Sequence, residues 1–211
     1  MNYIAIAEGE GALGVVVVQE ALRASNPLRP SGFLDRYFEA TWAETVPSLE
    51  TLQLLSALRK IVAIPEIGTR YELLADLSAR GEVLARDLRD EGFYPVPIII
   101  AKGITSIYGA DGIWRVVRQE IVAALSSLIQ SGRIGIAEKI PSAEALGSQV
   151  EEFRAKPMRD SADSPKPDEQ LALALGLIAW RIYSLHELDA VDPMGTPPQE
   201  PFNPAKAGLT D

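Results

Sequence analysis

Gly9-Glu10-Gly11-Ala12-Leu13-Gly14 fits the spacing G-x-G-x-x-G directly after a short apolar run, the arrangement in which a strand–turn–helix unit cradles a dinucleotide pyrophosphate. In that chemistry the glycines let backbone approach phosphate, and the helix N-terminus attracts its charge. Two features oppose it here. Glu8 and Glu10 would set carboxylates against the pyrophosphate, and Val15–Val18 is a poor opening for a helix. A glycine-rich turn between two strands accounts for the same residues, and a dinucleotide site on Gly9, Gly11 and Gly14 stands as the rival reading. His186 is the single histidine, and without cysteine it belongs to no recognisable metal or nucleophile set. It reads as a surface residue after the last helix. Lys102, Arg115, Arg118 and Arg133 are a candidate phosphate-facing group, although scattered basic residues are commonly just solvated.

The composition narrows the field further. Formal charge is −9 over 211 residues, which opposes a general electrostatic grip on nucleic acid. A DNA-acting protein of this charge needs a local basic patch or help from another domain. No apolar run is long enough to cross a bilayer, and Met1-Asn2-Tyr3 lacks the basic start of a signal peptide. A cytoplasmic protein is expected. No G-x-x-x-x-G-K-[ST] occurs, so no motor of that type is encoded in the chain.

The elements that must position such residues can be read from hydrophobic spacing. Tyr3–Ala7, Val15–Val18 and Phe33–Ala40 read as three successive strands, an antiparallel meander. Leu52, Leu55 and Leu58 recur at helical spacing behind Ser48. Ile61–Ile64 is a candidate buried strand, and Arg70–Glu91 reads as mostly helical with a break at Gly81. Tyr94–Ile100 is the next strand, Arg115–Gln130 the clearest helix, and Arg133–Ala137 a short extended piece. Ser142 caps a helix to about Arg154, Pro157–Pro167 is a loop, and Asp168–Ile182 is a last helix. The fold class expected is α/β, a mixed sheet with an antiparallel three-strand start, then parallel strands, and helices on both faces. One domain over residues 1–186 and a disordered Pro/Gly-rich tail over 187–211 complete the layout.

The local sequences resemble the RNase H-like nuclease domain of phage terminase large subunits. Gly112-Ile-Trp114-Arg-Val-Val-Arg118, continuing through Ile121, Leu125, Leu128 and Gln130-Ser-Gly132-Arg133, is similar to that family's "gW-x-V-P-K-x-x-L…L-l-q-x-G-r-l". Pro141–Leu146 with Gln149–Phe153 is similar to its "lP-x-a-x-x-L-x-x-E-L-x-x-F", and Glu169–Trp180 to its "D-D-L-V-x-A-L-A-L-A-x-W". Ile61–Ile64 with Pro65-Glu66-Ile67-Gly68 stands where the family has an apolar strand and "D-A-T-G-V-G".

That resemblance implies a two-metal nuclease. Its Mg²⁺ or Mn²⁺ ions sit between an acid from the first strand, one from the fourth and one from the last helix. It implies double-stranded DNA as substrate, with a separate packaging ATPase or portal as partner. Carried onto this chain, the first-strand acid falls on Ala7 with Glu8 one step on, and the fourth-strand acid on Pro65 with Glu66 one step on. The last-helix pair falls on Glu169 and Gln170, preceded by Asp168. Glu8, Glu66 and Glu169 are thus the catalytic candidates, and Glu8, Glu66, Asp168 and Glu169 the metal ligands. A one-residue shift on a strand turns a side chain to the other face. The leading expectation is therefore a nuclease-type domain with cleavage lost, these acids being turn and helix-end carboxylates. An active metal-dependent endonuclease is the alternative.

Overall fold

The computed structural model describes residues 1–9, 11–24, 34–47, 51–67, 70–155 and 169–189. Eight strands form one mixed sheet: β1 (Asn2–Glu8), β2 (Ala12–Ala24), β3 (Leu34–Pro47), β4 (Tyr71–Asp76), β5 (Val96–Ala101), β6 (Ile107–Tyr108), β7 (Trp114–Val117) and β8 (Ile134–Ile136). Their order across the sheet is β6-β7-β5-β4-β1-β2-β3-β8. β1, β2 and β3 pair antiparallel as the expected meander. β4 joins β1 in parallel, and β5 and β7 continue in the same direction. All four of these strands therefore end at the same edge of the molecule.

Strand alternation sends side chains to two cores. Ala5, Ala7, Val16, Val18 and Leu74 meet α3 (Arg118–Gln130), α4 (Ala143–Ala155) and α5 (Gln170–Asp189). Ile4, Ile6, Val15, Val17, Leu73 and Ala75 meet α1 (Thr51–Val62) and α2 (Glu82–Asp90) on the other face. Residues 169–180 are buried without interruption, so α5 lies flat in its core rather than at its rim.

Four elements differ from the sequence reading. The segment Ile61–Val62 closes α1, and the buried central strand is Tyr71–Asp76, where a helix was expected. A strand buried on both faces is a continuous apolar run, which spacing does not separate from a buried helix. Gly81 does break the segment, with φ at 55°, so only Glu82–Asp90 is helical. Arg115–Val117, expected as the first turn of α3, belongs to strand β7 (Trp114–Val117) beside β5. α5 runs on to Asp189, which puts His186 inside the helix rather than after it. The proposed tail from residue 190 onward lies outside the described residues, as does Asp168.

Candidate functional site

Because β1 and β4 run parallel, their carboxyl ends meet. The register pairs Ala5 with Leu74 and Ile6 with Ala75; one step further stand Ala7 and Asp76. Ala5, Ala7 and Leu74 belong to the core under α5, so alternation turns Asp76 to that same face. Asp76 is 2% exposed. Its Oδ1 accepts from the Ser78 amide at 2.9 Å and the Ser78 hydroxyl at 2.5 Å, and the Glu8 backbone N–H also donates to the carboxylate. Burial pushes the Asp76 carboxyl above its ordinary range, against the lowering effect of these hydrogen bonds. This residue was missed at the sequence level because β4 itself was missed.

Glu8 continues the other series, Ile4 and Ile6, toward α1 and α2. Its Oε1 lies 3.7 Å from Arg80 Nε, in the turn that leads to α2. Its Oε2 is buried with no hydrogen-bond partner. Burial pushes the Glu8 carboxyl up and Asp76 adds to this, while Arg80 pulls the other way. Glu66 is at the opposite edge of the sheet. Its backbone carbonyl accepts from Asn2 Nδ2 at 2.9 Å, beside the start of β1. At about 3.3 Å per strand residue, that is roughly 20 Å from Glu8. The expected grouping of Glu66 with Glu8 and Glu169 is therefore corrected: Asp76 is the acid of the fourth strand at this end.

α5 arrives over the same edge. Gln149 of α4 caps it, its Oε1 accepting from the amides of Leu171 at 2.9 Å and Ala172 at 3.4 Å. Glu169, 1% exposed, pairs with the guanidinium of Arg118 at the start of α3. Arg118 in turn lies 4.7 Å from the centre of the Phe153 ring. Gln170 faces the β1–β2 hairpin, and its Oε1 is buried with no hydrogen-bond partner.

The hairpin settles what the glycines do locally. Gly9 lies in the turn between β1 and β2 and Gly14 within β2 opposite Ala7, so neither precedes a helix. A Cβ on Gly9 would come 2.7 Å from Gln170 Oε1, and one on Gly14 within 2.5 Å of the Gln170 carbonyl. Gly11 takes φ of 76° in the turn. Each glycine has a steric or conformational cause without a nucleotide. Three of the four basic residues expected to face phosphate are engaged elsewhere. Arg115 makes two hydrogen bonds to Asp111, Arg118 holds Glu169, and Arg133 donates to the Arg36 carbonyl.

A two-metal centre needs oxygen ligands converging from first strand, fourth strand and last helix. Here the first strand offers the Ala7 methyl, Glu8 points to the other face, and Glu169 is held by Arg118. Among the described residues no three His, Cys, Asp or Glu come together in a metal-holding group. The residues do not fit two divalent ions.

No family model matches the chain, and no curated protein matches it. Solved structures do. The human cytomegalovirus terminase nuclease domain superposes with a TM-score of 0.51 at 11% identity, covering 89% of this chain and 84% of that one. The fold is RNase H-like. The same viral domain soaked with Mn superposes at 0.50 and 10% identity, over 89% and 85%. T. thermophilus RuvC with a Holliday junction gives 0.38 at 14% identity, over 89% and 96%, too loose to support any inference. No helix among the described residues is long and apolar enough to cross a membrane.

An RNase H-like domain with Asp76 buried, and with no ion-pair partner among the described residues, has a testable pH signature. The folded carboxyl titrates above its unfolded value near 3.8, so ionisation favours the unfolded chain. Asp76 therefore contributes stability only when protonated, and that contribution is lost as pH rises through its folded pKa. Asp76→Asn should melt a few degrees above the parent at about pH 7 and converge with it near pH 3. Thermal melts across pH check this. A variant that melts below the parent at neutral pH would mean that a cation already compensates the charge.

Proposed function

We propose that this chain is a terminase nuclease-type domain of viral or prophage DNA packaging in which metal-dependent cleavage has been lost. The observation that carries this reading is Ala7, fully buried and turned to the α5 face beside Asp76, where a nuclease of this fold needs its first carboxylate. Loss of that one ligand leaves a buried acid on β4 with no first-strand partner. A scaffold of this kind would act in the host cytoplasm, on or beside double-stranded DNA. A separate packaging ATPase or portal would supply the motor and most of the grip, given the net charge of −9.

The second reading, a working Mg²⁺- or Mn²⁺-dependent endonuclease, draws on Glu8. Its unpartnered Oε2 and its electrostatic coupling to Asp76 place one further carboxylate near the β4 acid. Plasmid cleavage separates the two. Purified protein in Mn²⁺ or Mg²⁺ should leave supercoiled DNA intact, no differently from an Asp76→Asn, Glu8→Gln double variant. Nicking by the parent that disappears in the double variant would overturn the loss of activity and assign the chemistry to these acids.

A further inference from the structure

The two adjacent residues at the start of α5 divide sharply in what they do. Glu169 is turned to Arg118, which is itself stacked on Phe153, so its carboxylate ties together the starts of α3 and α5 and the body of α4. Gln170 is turned to the β1–β2 hairpin, against Gly9, two residues beyond Ala7 on the same face of the sheet. It is 5% exposed, and its Oε1 has no hydrogen-bond partner among the described residues. A buried amide oxygen without a donor carries the desolvation cost of that group with nothing in return. Such a residue is the relic expected where an oxygen once met a cation.

We infer that position 170, not 169, is the last-helix ligand position of this fold in this chain, and that Ala7 and Gln170 together are what removed a divalent-metal centre built on Asp76. This rests on the proposed loss of cleavage and deepens it, since it names the two neutral side chains responsible. Glu169 is then a structural anchor that leaves the metal count unchanged. The geometry favours a carboxylate at 170: the residue is the first of α5, where the helix dipole stabilises negative charge. Glutamate also has the shape of the glutamine already accommodated there.

Mn²⁺-dependent thermal stabilisation of the full chain tests this without cleavage. Ala7→Asp alone should gain no stabilisation from millimolar Mn²⁺, while Ala7→Asp combined with Gln170→Glu should rise by at least about 5 °C. Adding Glu169→Gln to that pair should leave the Mn²⁺ shift in place, and adding Asp76→Asn should abolish it. Should aspartate at the fully buried position 7 prevent folding, Ala7→Asn offers an uncharged oxygen in the same series. A response in Ala7→Asp alone that Glu169→Gln removes would make Glu169 the ligand and overturn the inference. So would a Mn²⁺ response in the parent, or none in the folded double variant. Cleavage by the parent sinks the lost-nuclease reading; a Mn²⁺ response of the parent without cleavage sinks only the assignment of position 170.

Discussion

Gly14→Ala is expected to lower the melting midpoint by about 6–12 °C, a loss of about 3 kcal/mol. The cause is where the new methyl would sit. A Cβ at Gly14 falls 2.5 Å from the carbonyl carbon and oxygen of Gln170 and 2.8 Å from the Leu171 amide nitrogen. These are backbone atoms of the first turn of α5, so no side-chain rotation relieves the clash. Nor can the helix easily retreat. Gln149 holds the amides of Leu171 and Ala172, and α5 is buried without a break through Trp180. Gly9→Ala meets mostly the Gln170 side chain and should cost less. Gly11→Ala has open space but a φ of 76°, worth about 1 kcal/mol. Thermal melts of the three variants give the ordering. If Gly14→Ala proves as mild as Gly11→Ala, α5 does not dock on the hairpin as described.

The same three glycines show how far the sequence could be read. Their spacing invites a dinucleotide reading, and the four valines after them argue for a hairpin instead; the sheet register bears out the hairpin. What spacing could not reveal is that Gly9 and Gly14 are small because a helix some 160 residues later packs on them. Likewise, the carried-over motif put the first-strand position at Ala7 with Glu8 one step on, and the strand turns Ala7 to the α5 face. The fourth strand was not legible. Leu73, Leu74 and Ala75 are buried toward both cores, so neither a period of two nor one of 3.6 marks them. With the strand assigned ten residues early, its acid was sought at Glu66 instead of Asp76. The local signal that could have found it is Asp76-Leu77-Ser78, an acid ending an apolar run with a serine two residues on, in the pattern of an Asx-type turn. Which of Glu169 and Gln170 faces the hairpin depends on the rotation of α5, and that is set by tertiary packing alone.

Breaking the Arg118–Glu169 pair should be the other costly change at this corner. Glu169 has a side chain only 2% exposed, against 22% for Arg118, so removing the guanidinium takes its ion-pair partner from a carboxylate that water barely reaches. Arg118→Ala should therefore lose about 3 kcal/mol, the lower end for a buried pair because the arginine keeps some solvent. It also forfeits the stacking on Phe153, which buttresses α4. Arg118→Met with Glu169→Leu should recover most of the loss, because an apolar pair of similar volume avoids both desolvation costs. Urea denaturation of Arg118→Met, Glu169→Leu and the double variant closes this cycle. A single-variant loss below about 1 kcal/mol, typical of an exposed ion pair, would show that Glu169 is not held as described. A strong coupling between Arg118 and Glu169 would then place Glu169 among the residues that build the fold. The chemistry lost would lie with its neighbours across the sheet edge, Ala7 and Gln170.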